Sequence, residues 1–267
     1  MSSAVKAGTR RGAAVPSGAK PAAGPPAKPD VKGADARSAE GGFSLPPGRA
    51  LAICLQLQTA ILEHRLRPGM KLSEDEVGEI FGASRTVVRA ALHALAHSGL
   101  VSMERNRGAF VSRPTIREAH EVFEARAVIE PRVARLAAGR TTESQLENLK
   151  AHIEAEHVAL AAGEMSRSLY LSGQFHIAVS EIADQQVLGT IIRSLISRSS
   201  LIIALYWKRP DTACESHSHH ALMRAMESQD GQGAEEIMKS HIVDLHSGLD
   251  LVEHSHHDQA LSEVFKK

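Results

Sequence analysis

LRPGMKLSEDEVGEIFGASRTVVRAALHALAHSGLVSMERNRGAFV, residues 66–111, is the stretch that decides the fold of this 267-residue chain. It reads as a Pro-Gly turn, a short helix, a second helix that begins Ser-Arg-Thr, and two short strands around a basic turn. A helix with arginine at its exposed start, followed by such a ribbon, has the shape that enters a DNA groove. The stretch therefore predicts a winged helix-turn-helix.

Caps and turn residues set the boundaries of these elements. Ser73 and Glu76 have the spacing of a capping box, Ser84 can cap the next helix, and Gly99 is a natural stop after it. Before residue 66, an apolar stripe predicts one more helix; it consists of Leu51, Leu55, Leu57 and Ile61-Leu62. Three helices and two strands are expected, over residues 49–63, 73–81, 84–98, 100–104 and 108–112.

The third of these helices is expected to read the DNA. Val88, Leu92 and Leu95 share one face and should point to the core. Arg85 and Arg89 lie one turn apart on another face, and an arginine there can bond guanine O6 and N7 together. Solvated surface arginines are the alternative, which the ordered set of neighbouring signals makes weak. The candidate DNA contacts are Ser84, Arg85, Thr86, Arg89, Arg105, Arg107 and Gly108.

Everything after Pro114 has helical periodicity. Capping-box patterns begin at Thr115 and Thr142, and Gly139 and Gly163 are the matching stops. Six antiparallel helices are expected, over residues 115–139, 142–163, 165–184, 186–206, 212–229 and 233–253. The predicted fold class is mainly α, with an N-terminal winged helix-turn-helix and a C-terminal antiparallel six-helix bundle.

Composition and charge divide the chain in the same way. The net charge is zero, but residues 1–42 carry +4, residues 43–114 carry +3 and residues 115–267 carry −7. A basic front suits phosphate contacts. Residues 1–42 have almost no large apolar side chains and are expected to be a disordered basic tail. The expected domains are then 43–114, which binds DNA, and 115–254, followed by a frayed tail at 255–267.

The same composition bears on the compartment. Two distant cysteines form neither a disulfide framework nor a metal motif, which favours a reducing cytoplasm. No apolar run was expected to approach the length of a membrane span, and the basic N-terminus lacks the apolar core of a signal peptide. We therefore expect a cytoplasmic protein without a membrane partner.

Fifteen histidines suggest a metal, although a lone histidine is more often structural or exposed. Three of them, His176, His219 and His241, lie on three different helices next to apolar faces. Three imidazoles that converge in a helical bundle suit Zn²⁺ or a similar divalent ion.

The first domain resembles the GntR family of bacterial winged-helix repressors. The residues that carry the resemblance are Pro68-Gly69, Leu72-Ser73-Glu74, the run from Phe81 to Leu92 that contains Ser84-Arg85-Thr86, and Arg107-Gly108-Ala109-Phe110-Val111. Val87 and Ala90 depart from the pattern, where Pro and Glu are common, and Asp75 stands where some relatives have a DNA-contacting Arg. The resemblance implies a homodimer that places two recognition helices on a palindromic operator.

The second domain resembles the FCD ligand-binding domain of the FadR-type branch of that family, in its smaller VanR-like six-helix form. The matching residues are Phe123-Glu124-Ala125-Arg126 with Glu130, Phe175-His176, His219 with Ala225 and Asp230, and Ala234 with Met238 and His241. The resemblance implies a metal held by three histidines and an Asp one turn before the first. Ser172 stands at that Asp position, so water or the effector would have to complete the site.

Arg126 matches a position that faces the cavity in this family, where a guanidinium can grip a carboxylate with two hydrogen bonds. An ion pair with Glu130 is the alternative. Arg126 and Ser172 are the candidate effector contacts, and a small organic acid is the expected effector.

The leading interpretation is a transcription regulator, with repression as the family default, whose operator affinity the effector controls. A constitutive dimeric DNA-binding protein with a metal-free bundle is one alternative. A three-His metallohydrolase is another, but the chain has no HExxH motif and no evident general base beside the histidines, so no enzyme is expected.

Overall fold

The computed structural model describes residues 45–208 and 213–252, without the side chains of residues 213–216, and all of them lie in one compact unit. The tails predicted at 1–42 and 255–267 lie outside the described residues. Within the described part, the chain forms α1 Arg49–Leu62, β1 Lys71–Leu72, α2 Glu74–Phe81, α3 Arg85–His97, β2 Val101–Glu104, β3 Gly108–Val111, α4 Ile116–Ala138, α5 Glu143–Ala161, α6 Met165–Ile182, α7 Gln186–Tyr206, α8 Ala213–Glu227 and α9 Gly231–Ser247.

The winged helix comprises α1 to α3 and a three-stranded antiparallel sheet in the order β1-β3-β2. The predicted ribbon is present, with Met103 opposite Ala109 and Glu104 opposite Gly108. The short strand β1 was not predicted. Its two residues form a strand only because they pair with β3, which is distant in sequence. Val88, Leu92 and Leu95 are fully buried, so the apolar face of α3 points to the core as expected.

Two predicted caps are wrong. Ser73 and Ser84 stand at the N-caps of α2 and α3, but neither side chain accepts a cap hydrogen bond within the described residues. The first turn of α2 instead carries three acidic residues, which favour a helix N-terminus through its dipole. Gly82 and Gly99 adopt positive φ angles after α2 and α3, as a helix stop requires.

The bundle comprises α4 to α9, so the predicted fold class is confirmed. Both predicted capping boxes form, because Thr115 and Thr142 each accept from the backbone three residues on and the Glu118 and Gln145 side chains reach back. The last helix begins and ends earlier than predicted. Its start is fixed by Asp230, whose carboxylate accepts from the Gly233 amide.

Helix α7 connects the bundle to the winged helix. Ile192, Ile196 and Ile202 lie in the bundle core, whereas Leu201 is fully buried in the core of the winged helix. The helix is long and apolar enough to cross a membrane, with a mean hydropathy of 1.5, so the expectation that no run approaches that length is wrong. Its apolar side chains thus contribute to both cores of the described fold.

Candidate DNA-reading surface and buried histidine centre

All seven predicted DNA-contact residues are exposed. On α3, each of the two arginines already has an acidic partner from the start of α2. The Arg85 Nε donates to Asp75 Oδ1 at 2.8 Å, and Arg89 makes a two-bond contact with Glu74 at 3.0 Å. The hydrogen bond and charge of Glu74 raise the pKa of the Arg89 guanidinium. A DNA contact that uses the same donors of these arginines must therefore replace a carboxylate.

In the wing, which is the ribbon of β2 and β3, an arginine at the turn likewise has an acidic partner. Arg107 is paired with Glu104, and its guanidinium lies 5.2 Å from the centre of the Phe110 ring. Asn106 and Gly108 have positive φ angles, which fold the tip tightly between β2 and β3. The wing thus presents exposed basic side chains on a rigid ribbon.

The three predicted histidines converge in the bundle. His176 on α6, His219 on α8 and His241 on α9 are all buried, and one ligand atom from each lies within 4.8 Å of the others. The Nε2 atoms of His176 and His241 are 3.2 Å apart. Two imidazole nitrogens bound to one zinc ion at about 2.0–2.1 Å lie about 3 Å apart, so this spacing already suits a shared metal.

Two buried glutamates orient these rings. The Nδ1 of His176 lies 2.6 Å from Glu130 Oε2, and the Nδ1 of His219 lies 3.0 Å from Glu156 Oε2. A proton on Nδ1 that is donated to a carboxylate leaves Nε2 with its lone pair free, which is the tautomer that binds metal. The Nε2 of His219 is buried and has no hydrogen-bond partner within residues 45–208 and 213–252. A buried acceptor without a partner is costly, and a metal would satisfy it.

The electrostatics favour the same chemistry. Burial lowers the pKa of His176, against the opposing effect of Glu130, and burial lowers the pKa of His241 further below 6.5. Burial opposes ionisation of Glu130, but the charge of Arg126 and the hydrogen bonds from His176 and Arg126 hold its pKa at about 2. Neutral imidazoles beside a carboxylate are the form a metal requires. The residues present therefore could hold a metal ion.

Arg126 lies in the same buried network. Its Nε donates to Glu130 Oε1 at 2.6 Å and its NH1 donates to Ser199 Oγ at 3.2 Å, so the ion-pair alternative describes its contact in this structure. Arg126, Ser172 and His176 also line a cavity of about 30 Å³. The predicted roles of Arg126 and Ser172 in effector binding remain predictions.

Glu156 and Ser199 also belong to this network, although neither was predicted from the sequence. Glu156 shares the buried face of α5 with Leu149 and Ile153, at a spacing where an apolar residue is expected. A lone carboxylate on an otherwise apolar face was therefore a signal in the sequence. Ser199 gives no comparable signal, because its contact with Arg126 spans 73 residues.

Comparison with known families agrees with this organisation. Residues 49–111 match the family described as bacterial regulatory proteins, gntR family, and residues 121–244 match the FCD domain. Two solved structures have the same fold at 22% identity. They are a putative GntR regulator from Rhodococcus sp. RHA1, with TM-score 0.65 over 74% of this chain and 96% of that one, and McbR/YncC of E. coli, with TM-score 0.66 over 76% and 99%.

Several relatives whose names state a function match this chain over most of their own length. RspR, an HTH-type transcriptional repressor of Escherichia coli K12, is 28% identical over 71% of this chain and 83% of its own. The galactonate operon transcriptional repressor of the same strain is 28% identical over 69% and 89%. The Nta operon transcriptional regulator of Aminobacter aminovorans is 26% identical over 63% and 80%. The chain belongs to the GntR family of bacterial regulatory proteins and carries an FCD domain after its winged helix.

Proposed function

We propose that this chain is a transcription regulator that binds operator DNA through α3 and the wing, and that a small organic acid bound in the bundle controls this binding. The observation that carries the proposal is the buried histidine centre, which lies beside Arg126 in a bundle joined directly to a DNA-reading winged helix. Relatives that are named as transcriptional repressors and regulators support the DNA-binding part.

The histidine centre would hold a divalent metal, for which zinc is the first candidate because three neutral imidazoles are a common zinc ligand set. His176, His219 and His241 would be the protein ligands. Ser172 replaces the usual carboxylate, so the remaining position is open to water or to a carboxylate of the effector. A bound metal would supply a positive charge that attracts such a carboxylate.

The size of the cavity limits how the effector can bind. A space of about 30 Å³ corresponds to roughly one water molecule. An organic acid must therefore enlarge it, and the helices that form its walls are α1, α4, α6, α7 and α9. Because α7 also enters the core of the winged helix, enlargement of the cavity gives the effector a preference for one arrangement of the two parts.

The finer assembly is part of the proposal. A homodimer would place two copies of α3 on a palindromic operator one helical turn apart, and repression in the cytoplasm is the expected mode. The acidic bundle keeps the rest of the molecule away from the duplex.

A metabolite screen tests the effector part. Carboxylic acids are added to the metal-loaded protein on its operator, and loss of binding is measured by fluorescence anisotropy. His176→Ala and His241→Ala should lower metal content and abolish the response, whereas His217→Ala, at an exposed site on the helix of His219, should change neither. A full response in both buried-histidine variants would refute the metal-linked site.

The two alternatives predict different results. A constitutive DNA-binding protein would bind neither metal nor acids and would show no thermal shift with either. A metallohydrolase would turn over esters or amides when loaded with metal. The families matched by both domains are those of regulators, which favours the regulatory interpretation.

A further inference from the structure

A wide cleft lies between the winged helix and the bundle, away from the histidine centre. It is a cleft of about 780 Å³, within the range of about 300–1,000 Å³ typical of small-molecule sites. Leu55 and Ala94 form part of the winged-helix wall, and Ile177 and Leu195 form part of the bundle wall. Most of its surface is apolar.

The polar groups of this interdomain cleft have one sign of formal charge. Arg193 and Arg198 enter it from α7, His93 and His97 enter it from α3, and the described residues that line it include no Asp or Glu. The Arg193 Nε is buried without a hydrogen-bond partner within residues 45–208 and 213–252. The nearest acid, Glu181, is 3.8 Å from the Arg193 NH1, beyond hydrogen-bond distance. A buried donor without an acceptor is costly, and an anionic ligand in the cleft would satisfy it.

The second arginine lies against the end of the recognition helix. The Arg198 guanidinium packs on Gly99, directly after α3, so closely that a Cβ at Gly99 would lie 2.9 Å from the Arg198 Nε. Arg198 makes no hydrogen bond or ion pair with any residue of the described ranges. Because Ala94 and His97 of α3 line the same cleft, a ligand that binds Arg193 and Arg198 would also touch α3.

We propose that the interdomain cleft is a second small-molecule site, separate from the histidine centre, which binds an amphipathic organic anion. A carboxylate would bond Arg193 and Arg198, and a hydrocarbon chain would cover Leu55, Ala94 and Ile177. Since its walls come from both the winged helix and the bundle, the site exists only while the two are docked. The ligand therefore stabilises the docked arrangement.

Octanoate is a suitable probe, with octanamide as its uncharged counterpart, and binding to the full-length protein is measured by isothermal titration calorimetry. Loss of charge-assisted hydrogen bonds should weaken octanoate by at least about tenfold in Arg193→Gln and in Arg198→Gln. Octanamide should bind the wild-type protein about as weakly. If Arg193→Gln fails to fold, Ala94→Leu narrows the cleft from α3 without a change of charge and should also weaken octanoate.

Because the proposed effector site needs a metal, metal-free protein separates this site from the histidine centre, and octanoate should still bind the metal-free protein through Arg193 and Arg198. Amide hydrogen exchange should slow in both α3 and α7 when octanoate is present. The proposal is overturned if millimolar octanoate does not bind the metal-free protein, if octanamide binds equally well, or if both arginine variants retain wild-type affinity for octanoate. Slower exchange in α7 alone would also overturn it.

Discussion

Replacement of Glu156 by Gln tests whether the histidine centre is a built metal site. The Glu156 side chain is 3% exposed, and among the described residues its hydrogen-bond partner is the His219 Nδ1 at 3.0 Å. Gln has the same shape and can still accept this hydrogen bond, so the fold should survive. It lacks the negative charge that makes the imidazole a better ligand and fixes its tautomer. We expect the dissociation constant for zinc to rise about 10- to 100-fold, which is about 1.4–2.7 kcal/mol.

The assay is competition for zinc with a fluorescent chelator, and thermal unfolding with and without metal provides a second measurement. The stabilisation that saturating zinc gives the wild-type protein should fall by the same about 1.4–2.7 kcal/mol. Glu154→Gln is the matched control, since Glu154 is exposed on the same helix and should leave zinc affinity unchanged. Equal zinc affinity in Glu156→Gln and wild-type protein would refute the metal assignment, as would an equal loss in the control.

Four further predictions concern DNA binding, acid stability and the contact between domains. Arg85→Ala and Arg89→Ala should each weaken an operator selected from random duplexes about 10- to 100-fold in anisotropy titrations, with Lys150→Ala unchanged, and wild-type affinity in either variant would refute the assignment of α3. Asp75→Asn should strengthen the same complex about two- to fivefold because Arg85 no longer has a competing carboxylate, whereas Glu79→Gln at the other end of α2 should have less effect. The pKa values of His176 and His241 are lowered in the fold, so the unfolded chain binds more protons below pH 6.5 and the metal-free protein should lose stability as pH falls from 6.5 to 5. Glu130 does not contribute there because its shift, from 4.5 to about 2, acts at lower pH, and a flat urea-unfolding profile over this range would contradict the prediction. Gly99→Ala should lower the free energy of unfolding by about 1–3 kcal/mol, measured by chemical denaturation, and clearly more than Gly163→Ala does. Both glycines have positive φ, but only Gly99 faces Arg198, so equal losses would show that the contact with Arg198 contributes nothing.

The winged helix could be predicted because its signals are local. The Pro-Gly turn, the period of α3 and the positive-φ glycines each act within a few residues, so one sequence suffices to place them. The strand β1 and the pairs of Arg85 and Arg89 with acidic residues of α2 depend on contacts between elements. The caps at Ser73 and Ser84 fail although the spacing is right, since a side chain can leave its cap position without moving the helix.

The histidine centre was predictable only in part. His176, His219 and His241 could be grouped because each interrupts an apolar face, and the family resemblance joined those faces in one bundle. Glu156 could have been found in the same way. The link from Arg126 to Ser199 could not, nor could the contact of Arg198 with Gly99, because both depend on how α7 packs against other helices.

Helix α7 gives the proposed regulation a physical route. Ser199 accepts from Arg126, whose partner Glu130 contacts His176, and the next residue, Ser200, contacts His64 at 3.1 Å and the Leu62 carbonyl at the end of α1. Leu201 then enters the core of the winged helix. The four consecutive residues from Arg198 to Leu201 thus have four different contacts. In chain order these are Gly99, the Arg126 network, the end of α1 and the core of the winged helix. Contact alone does not establish coupling, which requires two arrangements that a ligand distinguishes. If a ligand distinguishes two such arrangements, a helix that belongs to both cores transmits the difference more directly than a flexible linker, because a shift of Ser199 moves Leu201 with it.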